Sequence, residues 1–291
     1  MNLKSCKKLL YKILVTVWLL LPAFLCAEDI VLMANNMSPL LLNLKSKLEQ
    51  QSQNFTVTIV TQDRPSTFPN SSYIVSVGSH SVNPLFREKA KGVISILVTE
   101  KQNRGISNQS AIYVEPPFER QLRLTQEVFP NSKIGVLVAD QKQKELIEKT
   151  LTPLQSPLLN VVKLTDSNNL NVALFDVLKD SDVLLGVYDK RIYNSENIKN
   201  ILITSYRQQK VLVGPSKAYL KAGSFISTYS NLSHIAERLT DIISIYDSEG
   251  RWLDEGYNPY YEIVLNSQVG NSLNILLPDL NLLTKKMKGV E

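Results

Sequence analysis

Between Val183 and Leu239 the sequence alternates short apolar runs with helix-period segments, and few folds accommodate that alternation. Val183 to Val187 is apolar and ends in a polar turn at Tyr188, Asp189 and Lys190. A helical pattern follows through Ile198, Ile201, Leu202 and Tyr206, then a second apolar run from Val211 to Val213. Gly214-Pro215-Ser216 closes that run, a short helix leads to Gly223, and a third run spans Phe225 to Tyr229. Apolar runs without alternation read as strands buried on both faces, and intervening amphipathic helices supply the cover. The segment is therefore part of a parallel sheet, and in such sheets ligands sit beyond the carboxyl ends of the strands.

The same grammar runs upstream. Ile30 to Ala34, Thr56 to Val60, Tyr73 to Val77 and Val93 to Val98 read as strands, with Ser38-Pro39 starting a helix between the first two. Gln62 to Ser72 reads as a loop. Ala111 to Val114 ends at Glu115-Pro116-Pro117, where the prolines withhold ladder hydrogen bonds and mark a break between units. Helix, strand, helix and strand then resume through Phe118 to Phe129, Ile134 to Ala139, Lys142 to Leu151 and Val161 to Leu164. The expected architecture is α/β, with two doubly wound parallel-sheet lobes joined by a hinge. The N-terminal lobe takes residues 28–115 with about 230–256, and the C-terminal lobe 116–229 with about 257–266. Residues 267–291 form a helical C-terminal extension. The lobes should meet near Glu115 to Phe118, with return crossings near Tyr229 and between Gly256 and Glu262.

Residues 1–27 belong to a different category. Lys4, Lys7, Lys8 and Lys12 precede an apolar stretch from Ile13 to Leu25, and Ala27 offers a small residue before Glu28, as in a secretory signal peptide. Cys26 raises lipid anchoring, but Leu25 before it is bulkier than a lipidation site usually accepts. The formal charge of +5 includes those four lysines, so without them it is 5 − 4 = +1. That leaves no electrostatic case for nucleic acid. Both cysteines, Cys6 and Cys26, lie in this leader, so the processed chain has no disulfide and relies on its core.

The residues at strand exits are the candidates for contact with a ligand: Asn36, Ser79, His80, Tyr188, Asp189, Ser216 and Tyr229. Ser79 and His80 are adjacent but lack the Gly-x-Ser-x-Gly elbow of a hydrolase, so a triad is not expected. That loop reads either as a cleft loop offering hydroxyls and N–H groups to a carboxylate or as a plain turn. Asp189, expected at an exposed cleft edge, suits a ligand ammonium or a cap on its own turn. Tyr188 and Tyr229 offer ring faces to a ligand or pack between the lobes. His80 and His234 are the only histidines, which leaves no metal-ligand spacing and implies no cofactor. No constellation for catalysis emerges, and the chain reads as a non-enzyme.

Several motifs resemble one family. Lys221-Ala222-Gly223-Ser224 is similar to its "KAGAL" segment, and Tyr229 with His234 to Leu239 to its tyrosine-plus-helix segment. Gln121 to Leu124, Pro130 and Gly135-Val136-Leu137 resemble the unit opening its second lobe. Asn266, Gly270, Leu273, Leu276, Leu277 and Pro278 follow the order of its tail. The family is that of ABC-type substrate-binding proteins, which includes tryptophan- and tyrosine-type periplasmic components with the type I periplasmic binding protein fold. Lys190-Arg191 departs from the family's Asn-Thr, and Gly78-Ser79-His80 from its Thr-Pro. The resemblance implies a monomeric periplasmic protein that closes two lobes on a small, amino acid-like molecule and delivers it to an ABC permease. A sensory or accessory binding module without a dedicated permease fits the same features.

Overall fold

A computed structural model describes residues 28–52, 54–62, 70–79, 82–151, 158–164 and 169–289. The expected leader and His80 lie outside the described residues. The chain builds two six-stranded sheets, each sandwiched by helices.

The first sheet contains β1 (Glu28–Ala34), β2 (Phe55–Thr61), β3 (Tyr73–Val77), β4 (Gly92–Val98), β5 (Ser110–Tyr113) and the short β11 (Gly256–Tyr257). Their spatial order is β11-β5-β4-β3-β1-β2, and all pairs are parallel. The second contains β6 (Ile134–Val138), β7 (Leu159–Lys163), β8 (Val183–Leu185), β9 (Val211–Val213), β10 (Ile226–Tyr229) and β12 (Glu262–Leu265), ordered β12-β10-β9-β8-β6-β7. Here β12 runs antiparallel to β10, pairing Ile226 with Leu265 and Tyr229 with Glu262, so this sheet is only mostly parallel. The chain passes between sheets after Tyr113, after Tyr229 and after Tyr257.

The helices start where local chemistry allows. Ser38 caps α1 (Pro39–Gln51), accepting the Leu41 N–H, and Pro39 sits where no amide donor is needed. Asn83 caps α2 (Pro84–Lys89) by accepting from Leu85. A four-residue helix unforeseen from the sequence, α3 (Glu100–Asn103), follows β4 and is held by a capping box between Thr99 and Gln102. The T-x-x-Q spacing was the signal for it. The run at Val183 ends as a strand at Leu185 rather than at Val187, although the Gly186 N–H still donates to Val213 O at 2.9 Å.

The first sheet buries Ile30, Leu32, Val75, Ile94 and Ile96 on one face beneath Leu44 and Leu48 of α1. The same face is covered by Ile235, Leu239, Ile242 and Ile243 of α9 (Leu232–Glu249), a helix that follows a strand of the other sheet. The second core gathers Val136, Leu184 and Leu212 with Leu122 and Leu124 of α4 (Phe118–Val128). It also takes Leu174, Val177 and Leu178 of α6 (Leu170–Lys179). Four other helices complete the described chain: α5 (Gln141–Leu151), α7 (Ile198–Arg207), α8 (Lys217–Ala222) and α10 (Ser267–Ser272). The last helix, α11 (Leu280–Lys288), joins this second core through Leu283 and Met287. One close approach demands glycine: a Cβ on Gly92 would stand 2.2 Å from the Trp252 ring, which itself stacks on Tyr246 at 4.1 Å.

Candidate functional site

The carboxyl ends of β4, β5, β6, β8 and β9 bound a cavity of about 480 Å³ between the two sheets. Its walls come from both: Glu100 and Tyr257 on the first, Asp140, Tyr188 and Asp189 on the second, and Glu115, Pro116 and Phe118 on the segment joining them. Parallel strands put all their exits on one edge, which is why residues this distant in sequence converge.

The joining segment is fixed from both ends. Glu115 lies in the cavity wall, and its Oε1 accepts the Glu100 N–H at 2.8 Å, satisfying a free donor at the start of α3. Its Oε2 is shielded from solvent and meets no hydrogen-bond partner among the described residues. Burial raises this carboxyl above its usual range, and the charge of Glu100 adds to that. Further on, Gln121 is only 2% exposed and meets four partners. It donates to Gly214 O at 2.9 Å and Ser227 Oγ at 3.1 Å, and accepts from Thr228 N at 3.1 Å and Thr228 Oγ1 at 2.8 Å. That network ties α4 to the exits of β9 and β10.

Opposite, Arg191 spans two strand exits. It donates from Nη1 to Asp140 at 2.7 Å, and from Nε and Nη2 to Asp189 at 3.0 and 2.5 Å. The Arg191 backbone N–H adds a third bond to Asp189 at 2.9 Å. Asp140 is held below its ordinary range first by the Gln143 N–H and then by Arg191. On the first lobe, Arg104 pairs with Glu100 at 2.6 Å and Tyr257 donates to the same carboxylate at 2.9 Å. The Arg104 bond leads in holding the Glu100 carboxyl low, against the effect of burial. Burial raises the Tyr188 and Tyr257 hydroxyls, so both remain neutral phenols with apolar ring surface in the cavity.

Of the residues singled out from the sequence, Tyr188 and Asp189 border this cavity. Asp189, expected to be exposed, is instead 8% exposed and already engaged by Arg191. The reason is local: the turn after β8 brings the Arg191 amide and guanidinium onto the carboxylate two residues before. Asn36 and Ser79 are exposed at the exits of β1 and β3 and do not border the cavity. Ser216 precedes α8 without capping it by its side chain, and Tyr229 accepts a hydrogen bond from Lys217 at 2.5 Å, both outside the cavity. His80 lies outside the described residues. Glu115, Gln121, Arg191 and Tyr257 were not singled out as site residues; the sequence marks Glu115 only as a strand terminus beside two prolines. Among the described residues no group of three or more His, Cys, Asp or Glu is arranged to hold a metal ion. Among them, too, no helix is long and apolar enough to cross a membrane.

No protein-family profile matches the chain, and no curated protein matches it. Solved structures do. A ligand-free, open substrate-binding protein with adhesive properties from Clostridium difficile matches with a TM-score of 0.64 at 13% identity, covering 87% of this chain and 96% of that one. A conserved domain protein from Vibrio cholerae matches with a TM-score of 0.53 at 16% identity, over 88% and 97% of the two chains. An ABC domain from Streptococcus pneumoniae in complex with L-Trp matches with a TM-score of 0.51 at 12% identity, over 88% and 97%. At these identities the likeness is one of fold. The two mostly parallel sheets with interleaved helices constitute the type I periplasmic binding protein fold.

Proposed function

We propose that this chain is an extracytoplasmic solute-binding protein whose two lobes close on a small, amino acid-like molecule for delivery to an ABC permease. The observation that carries the reading is the cavity at the facing strand exits of two sheets, lined by phenol and phenyl rings together with paired charges. Such a lining suits a ligand with an apolar body and polar ends. The folds of a substrate-binding protein and of a domain holding L-Trp support it. In this reading the lobes are residues 28–115 with 230–257 and 116–229 with 258–266, one residue later than the sequence boundary because Tyr257 pairs with Tyr113 in the first sheet, and the hinge runs through Glu115 to Phe118. Closure then needs only small backbone rotations at three connecting segments. Tyr188 and Asp189 form one wall, whereas Asn36, Ser79, His80, Ser216 and Tyr229 would meet the ligand only as the lobes approach. Residues 1–27 act as the export signal, and the processed protein works as a periplasmic monomer without catalysis.

A thermal-shift screen of residues 28–291 against amino acids, nucleosides and sugars tests the binding reading. Ligand at a hundred times its dissociation constant adds about 2.7 kcal/mol of stability, a shift of several degrees. A flat response to every compound would remove the reading.

A further inference from the structure

We propose that Glu115 is the residue through which this cleft reads charge: its carboxylate receives a positively charged nitrogen, so the ligand carries an ammonium beside an apolar or aromatic body. The proposal rests on the binding reading above and deepens it. Four carboxylates line the cavity. Glu100 is paired with Arg104 at 2.6 Å, while Asp140 and Asp189 share Arg191 at 2.7 and 2.5 Å. A ligand ammonium at any of these three must share the carboxylate with a guanidinium that is already in place. Glu115 alone among the four has an oxygen, Oε2, that is shielded from solvent and meets no hydrogen-bond partner among the described residues.

Such an oxygen is costly while it is unpaired, and an arriving N–H donor removes that cost. Burial, reinforced by the Glu100 charge, already disfavours the ionised form; the backbone N–H groups of Glu100 and of Glu115 itself oppose this first, and the positive charge of Lys190 after them. A ligand cation would do what Lys190 does from closer range. The Oε1 bond to the Glu100 N–H at 2.8 Å fixes the carboxylate, so little side-chain freedom remains to be lost on binding. Phe118, Tyr188 and Tyr257 line the same cavity and offer ring surface to the body of the ligand. Glu115 also stands on the segment joining the lobes, so a contact there engages both walls at once.

Isothermal titration calorimetry on residues 28–291 near neutral pH, with three probes of one ring, tests the assignment. L-Phenylalanine carries ammonium and carboxylate, phenethylamine only the ammonium, and hydrocinnamate only the carboxylate. The parent should bind the two amines, and Glu115→Gln should weaken both by at least about tenfold while hydrocinnamate is little changed. Gln keeps an acceptor for the Glu100 N–H, so the variant should melt with the parent by circular dichroism. Glu115→Asp, which keeps the charge, should recover part of the loss. Amines binding Glu115→Gln as tightly as the parent would overturn the assignment, as would an equal loss for hydrocinnamate, which signals a collapsed cleft. A hit confined to sugars or nucleosides keeps the binding reading and sinks the Glu115 assignment. Silence from every compound sinks both.

Discussion

At the scale of single residues, Gln121 shows how one side chain can lock a joint. All four of its side-chain hydrogen bonds end on the exit of β9 or on Ser227 and Thr228 of β10, and the residue is 2% exposed. Truncation to alanine leaves the Thr228 N–H and the Gly214 carbonyl buried without this partner. Each orphaned buried group costs about 1–3 kcal/mol, so Gln121→Ala should lower the unfolding free energy by roughly 3 kcal/mol in urea titrations. A loss below about 1 kcal/mol would mean that water restores those bonds. Gly92 is a second such position. Its missing Cβ leaves room for the Trp252 ring, which would otherwise stand 2.2 Å away. Gly92→Ala should cost about 1–3 kcal/mol by overpacking, and Trp252→Leu in the same chain should relieve part of it.

At the scale of elements, α9 carries a pH-sensitive start. Asn231 accepts the His234 N–H at 3.0 Å, and His234 Nδ1 accepts the Asn231 N–H at 3.3 Å, a reciprocal box. That ring nitrogen accepts only while it is unprotonated. Burial lowers the His234 pKa below its ordinary 6.5, with Lys288 adding to the effect and Glu262 and Glu237 opposing it. The unfolded chain therefore binds this proton first, so stability falls as pH drops through the ordinary histidine range and is kept above it. His234→Gln keeps a box-forming residue and removes the titration. Urea unfolding at successive pH values should show a shallower acid-side slope in the variant than in the parent. Identical slopes would mean that His234 is equally protonated in both states. Losing the cap itself, through Asn231→Ala, should cost about 1 kcal/mol at neutral pH.

For the whole molecule, the decisive feature is that the first sheet is completed by chain that comes after the second. Ile235, Leu239, Ile242 and Ile243 of α9 cover Ile30, Leu32, Ile94 and Ile96, and β11 extends the edge beyond β5. Burying four such aliphatic side chains contributes about 1.5–3 kcal/mol each, which matches the net stability of a typical domain. A fragment ending at Glu115 should therefore stay unfolded by circular dichroism and bind a hydrophobic dye. A well-folded fragment would show that the first sheet needs nothing from α9. At the amino ends of the interior strands β1 and β4, Lys91 bonds Glu28 at 2.9 Å and Asp247 at 3.1 Å, fastening the far end of α9.

The order of the longer strands and helices, though not α3 or the two-residue β11, and with it the α/β class, was legible in the sequence because burial on both faces writes unbroken apolar runs into each parallel strand. The double proline after Glu115 likewise announced a break, since proline cannot donate to a ladder. Both signals are local, carried by a few consecutive residues. The site was legible only in part. Tyr188 and Asp189 were found from the rule that ligands lie at strand exits, but the rule does not say which exits face one another. That Arg191 meets Asp140 follows from β6 and β8 being neighbours in the second sheet. That Glu115 keeps one oxygen without a partner among the described residues follows from α3 lying beside it and engaging only the other. Hydrophobic periodicity determines which residues are buried, whereas charge pairing depends on distances across the folded chain, and those distances exist only once the two sheets have taken their strand order.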